Sequence, residues 1–224
     1  NEQFRKEFLL NLSHELRTPI FTIQGYIHSL LGNAVVEEQV RERFLQNAAK
    51  GVQRLVQLVD DLDQISKLES GQTTIQLSVF MIQDLVKDVY EDLLLKAKER
   101  SVILEIKKGT EAPLWVEADK EKIRRVLINL VENAIKYGKT GGHVITGCYL
   151  MDGQHIYIEV SDDGYGIEEK HLSRIFERFY RGDKSRNRQI GGTGVGLASV
   201  KQMVEAHGQT INVRSKPELG SCFG

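Results

Sequence analysis

The chain has 224 residues, 30 Lys and Arg against 31 Asp and Glu, a formal net charge of -1 and 41% hydrophobic residues. This length accommodates two modest domains with their own cores, and the charge balance excludes both the strongly basic surface of a nucleic-acid binder and a solvating acidic tail. Cys148 and Cys222 are the only cysteines and lack metal-type spacing, so the chemistry expected is that of a reducing compartment, the cytoplasm, rather than a disulfide framework. No apolar run approaches the roughly 20 residues that span a bilayer, and no secretory signal opens the chain, so direct membrane contact by these residues is not expected. The chain begins without methionine and already in helical periodicity, and Gly220 to Gly224 read as an interrupted strand. A fragment is expected, with any sensor or membrane segment upstream of Asn1.

In chain order, apolar residues first recur at Phe4, Phe8, Leu12, Leu16, Ile20, Ile23, Ile27 and Leu30, the spacing of a helix over residues 1 to about 31. At about 100° per residue, His14 points away from that stripe and faces water. A neutral imidazole is a good nucleophile near neutral pH, and the adjacent Glu15 can orient it or accept its proton. Thr18 adds a hydroxyl one turn on, and Pro19 removes the amide that would bond back to Glu15, so a bend is expected beside the histidine. Gly32 and Asn33 signal a turn. A second helix from about Val36 to Leu68 follows, with Phe44, Ala48, Val52, Leu55, Val59, Leu62 and Ile65 in near-heptad spacing. Two helices can hardly cover two continuous apolar faces, which predicts pairing of two hairpins through residues 1–70 into a dimeric four-helix bundle. Spacing alone is equally compatible with a coiled-coil spacer.

Ser70, Gly71 and Gln72 break the helix, and a second domain, 71–224, is expected beyond them. Ile75, Leu77 and Val79 alternate as one face of a strand. A helix from about Ile82 to Arg100 follows, then strands at Val102 to Lys107 and Trp115 to Glu117 and a helix from Asp119 to Tyr137. Strands Val144 to Leu150 and His155 to Ser161 join as a hairpin across Asp152 and Gly153. The fold class is α+β, a helical hairpin followed by an α/β sandwich whose mixed sheet is covered by helices.

Three stretches of this second domain carry chemistry. Asn129, Asn133 and Lys136 share one side of their helix, opposite Ile123, Leu127, Leu130 and Ala134; the side is either a solvated face or a place for Mg²⁺ and phosphates. In SDDGYGI, Asp162 follows a strand directly and can accept a hydrogen bond from an exocyclic amine such as that of adenine, while Gly164 and Gly166 permit close approach of a ligand. As a plain turn the same residues are also unexceptional. Gly191, Gly192, Thr193, Gly194, Val195 and Gly196 open onto a helix from Leu197 to His207, whose first amides suit phosphate oxygens. A P-loop ending at Gly138-Lys139-Thr140 fails because Asn133 stands where its first glycine belongs. A dinucleotide fingerprint from Gly192 fails at Leu197. Between the glycine clusters, residues 168–192 include Phe176, Phe179, Arg181, Lys184, Arg186 and Arg188, and read either as a basic lid over phosphates or as a charged loop.

The order of these pieces resembles the catalytic core of sensor histidine kinases of the HisKA type. Matching boxes are the H-box at His14, N-x-x-x-N-A-x-K-Y from Asn129 to Tyr137, D-x-G-x-G from Asp162, the pair Phe176 and Phe179, and G-T-G-x-G-L from Gly192. The resemblance implies a dimerising phosphotransfer hairpin joined to an ATP-binding domain of the kind shared with Hsp90, gyrase and MutL. It implies Asn133 on Mg²⁺, with Asn129, Lys136, Tyr137 and Arg181 near the phosphates. Asp162 would meet adenine, with Gly164, Gly166 and Ile167 beside it, and Thr193, Gly194, Val195, Gly196 and Leu197 would form the phosphate-binding helix start. His14 would attack the γ-phosphoryl group of ATP with Glu15 as base or orienting group, then pass it to an aspartate on a response regulator receiver domain. Thr18 would assist dephosphorylation of that regulator. The resemblance further implies the cytoplasmic portion of a membrane-anchored bacterial sensor. Tyr165 and Val195 depart from residues frequent in the family, without removing a proposed catalytic group. A relative of Hsp90 or gyrase that only hydrolyses ATP is the competing reading; such enzymes, the resemblance implies, carry a catalytic glutamate where this chain has Asn129.

Overall fold

In a computed structural model the protein is described at residues 2–32, 37–69, 74–178, 180, 182 and 194–224. It forms two compact units, Asn1–Glu69 and Ser70–Gly224. The first is a hairpin of α1 (Glu2–Leu31) and α2 (Glu38–Glu69). Pro19 lies inside α1, which continues through it, and its ring is buried. Within the hairpin the inner line on α1 runs Leu12, Leu16, Pro19, Ile23, Tyr26 and Leu30, and on α2 Phe44, Ala48, Leu55, Leu58 and Leu62. Tyr26 and Phe44 meet with ring centroids 5.0 Å apart. At Gly51 the helices come so near that a Cβ would stand 2.6 Å from Ile23 Cγ1, so only glycine lets them approach.

That inner line differs from the single stripe read in the sequence. Ile20 and Ile27, and on α2 Val52 and Val59, are exposed, together with Phe21, Leu31, Leu45 and Val56. Each helix therefore carries two apolar edges, one closed by its partner in the hairpin and one left open. The side chains of Phe4, Phe8 and Ile65, the turn at Asn33 and the break at residues 70–72 lie outside the described residues.

The second unit contains β1 (Ser78–Met81), α3 (Ile82–Glu99), β2 (Ile103–Ile106), β3 (Trp115–Ala118) and α4 (Lys120–Tyr137). It continues with β4 (His143–Asp152), β5 (His155–Asp162), α5 (Glu169–Leu172), α6 (Gly196–Ala206), β6 (Val213–Lys216) and β7 (Gly220–Phe223). β1 and β3 pair as an antiparallel ribbon, and the main sheet has the order β2-β4-β5-β7-β6. Only β2 and β4 run parallel, connected through α4 as a crossover; the other pairs are antiparallel, so the sheet is mixed. Val144, Thr146, Cys148, Val160 and Phe223 point from the sheet toward α3, α4 and α6, whose Leu85, Val86, Val89, Leu127, Leu130, Val131 and Val200 complete the core.

One reading of the sequence needs correction. Leu77 and Val79 are exposed, and Phe80 is the residue of β1 that enters the core, with Met81 half-buried after it. The strand read at Gly220 to Gly224 is present as β7, and it pairs antiparallel with β6, which the sequence did not announce.

Long-range ties fix α4, the helix on which the site depends. Asp119 caps its start, accepting from the Lys122 amide at 3.1 Å and from the Gln76 amide at 3.0 Å. Burial alone would raise the Asp119 carboxyl, but the Lys122 ammonium and these two amides outweigh it and hold it near 2. The Asp119 amide donates to His207 Nε2 at 3.0 Å, and His207 Nδ1 bonds the Met203 carbonyl at 2.6 Å, which joins the end of α6 to the start of α4. The two helices run antiparallel, so the start of α6 lies along the later turns of α4.

Candidate active site

On the hairpin, His14 is exposed and Thr18 lies on the same exposed surface. The Thr18 hydroxyl donates to the His14 carbonyl at 3.2 Å, and Thr22 donates to the Thr18 carbonyl at 2.9 Å, so side chains supplement the backbone ladder around Pro19. Glu15 is half-buried against α2, where its Oε2 accepts from Arg54 Nη2 at 2.9 Å. Arg54 was not singled out in the sequence, since only the pairing of α1 with α2 brings residues 39 apart together. The arrangement presents an imidazole to solvent beside a carboxylate whose direction is set from the other helix.

In the second unit, four elements converge. α4 contributes Asn129, Asn133, Lys136 and Tyr137; the end of β5 contributes Asp162; the turn after it contributes Gly164, Gly166 and Ile167; and the start of α6 contributes Gly194, Val195, Gly196 and Leu197. Gly164 packs on the end of α4: a Cβ there would stand 2.4 Å from the Tyr137 carbonyl oxygen. Its amide donates to Asp162 Oδ1 at 2.9 Å, and the Tyr165 amide donates to the Tyr137 carbonyl at 3.2 Å. Gly166 adopts φ +67° and a Cβ would stand 2.0 Å from the Lys216 carbonyl oxygen, so the turn is wedged against the β6–β7 hairpin. The Ile167 amide is held by Ser215 Oγ at 2.8 Å, and the Ile167 side chain packs against the core.

At the other end, Gly196 opens α6 against Asn129, whose Oδ1 would be 2.9 Å from a Cβ on that glycine. Asn129 Nδ2 donates to the Arg125 carbonyl at 2.9 Å, which turns its oxygen toward α6. Val195 is buried and Leu197 packs on the core, while the helix start has no side-chain cap, so its first amides are available to an anion. Lys136 Nζ lies 5.0 Å from the Tyr137 ring centroid. The Asn133 side chain, one turn from Asn129, makes no hydrogen bond among the described residues, leaving its amide oxygen open to a hard cation. No cluster of three or more His, Cys, Asp or Glu that could hold a metal occurs among the described residues. That donor set fits Mg²⁺, which is commonly held by one or two protein oxygens together with phosphates and water.

Burial pushes the Asp162 carboxyl up to about 6, against the pull of the Gly164 and Ser221 amides, and the neighbouring Asp163 charge adds to the rise. Asp163 itself is engaged by His143, through its amide at 2.8 Å and Nδ1 at 3.2 Å. Phe179, Arg181, Gly192 and Thr193, with residues 183–191 of the expected lid, lie outside the described residues. His171 and Tyr180, both within the expected lid, are joined by a 2.6 Å hydrogen bond.

A buried carboxylate beside the end of α4 and an uncapped helix start two turns back along it suit an adenine nucleotide, in a protein that also displays a histidine on a helical hairpin. Comparisons with known proteins agree with that class. The His Kinase A (phospho-acceptor) domain matches residues 4–71, and the histidine kinase-, DNA gyrase B-, and HSP90-like ATPase family matches residues 118–224. The sensor histidine kinase WalK of Bacillus subtilis is 40% identical over 216 residues, which are 94% of this chain and 34% of that protein. The chain thus spans about a third of the length of that relative. Among solved structures, the Acinetobacter baumannii histidine kinase AdeS aligns with a TM-score of 0.72 at 25% identity, covering 94% of each chain. Full-length ShkA in complex with AMPPNP aligns at 0.71 and 28% identity, over 97% of this chain and 44% of that one. The chain belongs to the sensor histidine kinases, with a HisKA region followed by an ATP-binding domain.

Proposed function

We propose that the chain catalyses ATP-dependent phosphorylation of its own His14 and then transfers the phosphoryl group to an aspartate of a response regulator, within a two-component signalling pathway. The observation that carries this reading is the exposed imidazole of His14, with Glu15 directed by Arg54, in a chain whose other unit matches the histidine kinase-, DNA gyrase B-, and HSP90-like ATPase family. In the reaction an imidazole nitrogen forms the N–P bond as the bond from the γ-phosphorus to the β,γ-bridging oxygen breaks. ADP leaves, and Glu15 takes or orients the imidazole proton. Asp162 reads the base amine, the α6 amides and Lys136 bind phosphate oxygens, and Asn133 would hold Mg²⁺, which supplies charge neutralisation on the phosphates. The Asp carboxylate of the receiver domain then displaces His14 from phosphorus.

A homodimer follows from the open apolar edges of the hairpin, Ile20, Ile27, Leu45, Val52, Val56 and Val59, which a second hairpin would close. The Thr18 hydroxyl, exposed one turn from His14, suits a second activity, hydrolysis of the phosphorylated regulator. The proposed domain limits are 1–70 for the dimerising phosphotransfer hairpin and 71–224 for the catalytic domain. A sensor region anchored in a membrane would belong to the longer protein.

Incubation with γ-labelled ATP and Mg²⁺ tests the reading. Acid-labile, alkali-stable label on the chain, absent in His14→Gln and passed on to a receiver domain, is expected. ATP turnover undiminished in His14→Gln, with no phosphoprotein, would instead support the ATPase reading.

A further inference from the structure

One side of α4 is a continuous polar stripe. At about 100° per residue, Lys122, Arg125, Asn129, Asn133 and Lys136 share it, opposite the buried Leu127, Leu130, Val131 and Ala134. Its two ends are told apart by their neighbours. At the C-terminal end, Gly164, bonded to Asp162, packs on the Tyr137 carbonyl. Two turns back, Gly196 at the start of α6 packs on Asn129. A nucleotide with its base at Asp162 and its phosphates at the start of α6 therefore runs from Tyr137 back toward Asn129, and its terminal phosphate lies farthest along that path. The next residue of the stripe, about 6 Å further along the axis, is Arg125.

The other cations of the stripe are engaged: Lys122 bonds the Asp119 carboxylate and the Thr74 carbonyl, and Lys136 lies over the Tyr137 ring. The adjacent Arg124 is paired with Asp92 on α3. Arg125 is exposed and has no carboxylate partner among the described residues, while its carbonyl anchors the Asn129 amide at 2.9 Å. A guanidinium stays charged at any working pH, its fork of donors matches phosphate oxygens, and its reach exceeds one helical turn.

We propose that Arg125 is a catalytic residue that holds the γ-phosphoryl group of ATP from the side remote from the base. This rests on the nucleotide reading above and adds to it a cation outside the boxes that carry the resemblance. Because the contact is made only with the third phosphate, it separates ATP from ADP. The test is calorimetric titration of the chain and of Arg125→Gln with ADP and with a non-hydrolysable ATP analogue, each with Mg²⁺. The substitution is expected to weaken the ATP analogue about tenfold, the size of one charge-assisted hydrogen bond, and to leave ADP within about twofold. Arg125→Lys should recover part of the loss, and the melting temperature should stay unchanged, since the side chain is exposed. Equal weakening of both nucleotides, or no weakening of the ATP analogue, overturns the assignment of Arg125. A wild-type chain that binds neither nucleotide overturns the nucleotide site itself.

Discussion

In the hairpin, Leu45, Val52, Val56 and Val59 leave about half of their surface exposed, whereas Val144, Val160 and Val200 in the second unit are all but sealed from solvent. The hairpin has one closed seam and one open edge, and it carries His14, the proposed phosphoacceptor, on the surface. The nucleotide unit has a complete core, and its functional groups are held by elements distant in the chain, such as Gly166 against Lys216 and Asp119 against His207. The difference assigns a source of order to each function. A phosphoacceptor must be reached by different partners and so stands exposed on a rod completed by association. A nucleotide site must hold several groups in register and so depends on the unit's own core.

The largest effect that would break this comparison is expected at Gly220, which sits at φ +97° with a Cβ position 1.9 Å from the Asp162 carbonyl oxygen. Gly220→Ala should cost the nucleotide unit about 3 kcal/mol and abolish nucleotide binding, while the hairpin's dimerisation persists. Separate melting transitions followed by calorimetry would reveal whether only one unit is struck. Next, Val56→Glu on the open edge should raise the dimer dissociation constant on the order of a hundredfold in sedimentation, with nucleotide affinity unaltered.

A smaller effect concerns pH. With its pKa at about 6 and the Asp163 carboxylate and His143 beside it, Asp162 is mostly protonated below that value and becomes a poorer acceptor for an amine. Nucleotide affinity should fall about tenfold from pH 7 to pH 5, and Asp162→Asn should flatten the profile. The stability linkage has the opposite sense. A carboxyl raised above its unfolded value favours the folded state fully below about 4, and that contribution is lost as pH rises through about 6. Free protein should therefore gain from Asp162→Asn at neutral pH even as it loses ligand. The smallest effect is at Arg54, 43% exposed in its pair with Glu15. Arg54→Met should change hairpin stability by less than about 1 kcal/mol. Its initial autophosphorylation rate should nevertheless drop several-fold, as Glu15 loses its direction.

Much of this architecture was legible in the chain. The side of α4 bearing Asn129 and Asn133 followed from a 3.6-residue period, and the exposure of His14 from its phase against Leu12 and Leu16. What eluded periodicity has physical causes. Val213 to Lys216 alternate too weakly to mark a strand, and β6 is defined by its pairing with β7. Leu77 and Val79 look like an inward face, but Phe80 is the larger side chain and takes the core. Arg54 with Glu15, and His207 with Asp119, are tertiary pairs whose partners no local pattern announces.

The most direct measurement is mass spectrometry of the chain after reaction with ATP and Mg²⁺, kept at alkaline pH so that a phosphoramidate survives. One added phosphoryl group on the peptide containing Asn11 to Ile20, fragmenting to His14, is the predicted result. Phosphate on a serine, threonine or other residue with His14 unmodified, or none at all on a chain that binds the nucleotide, would contradict it.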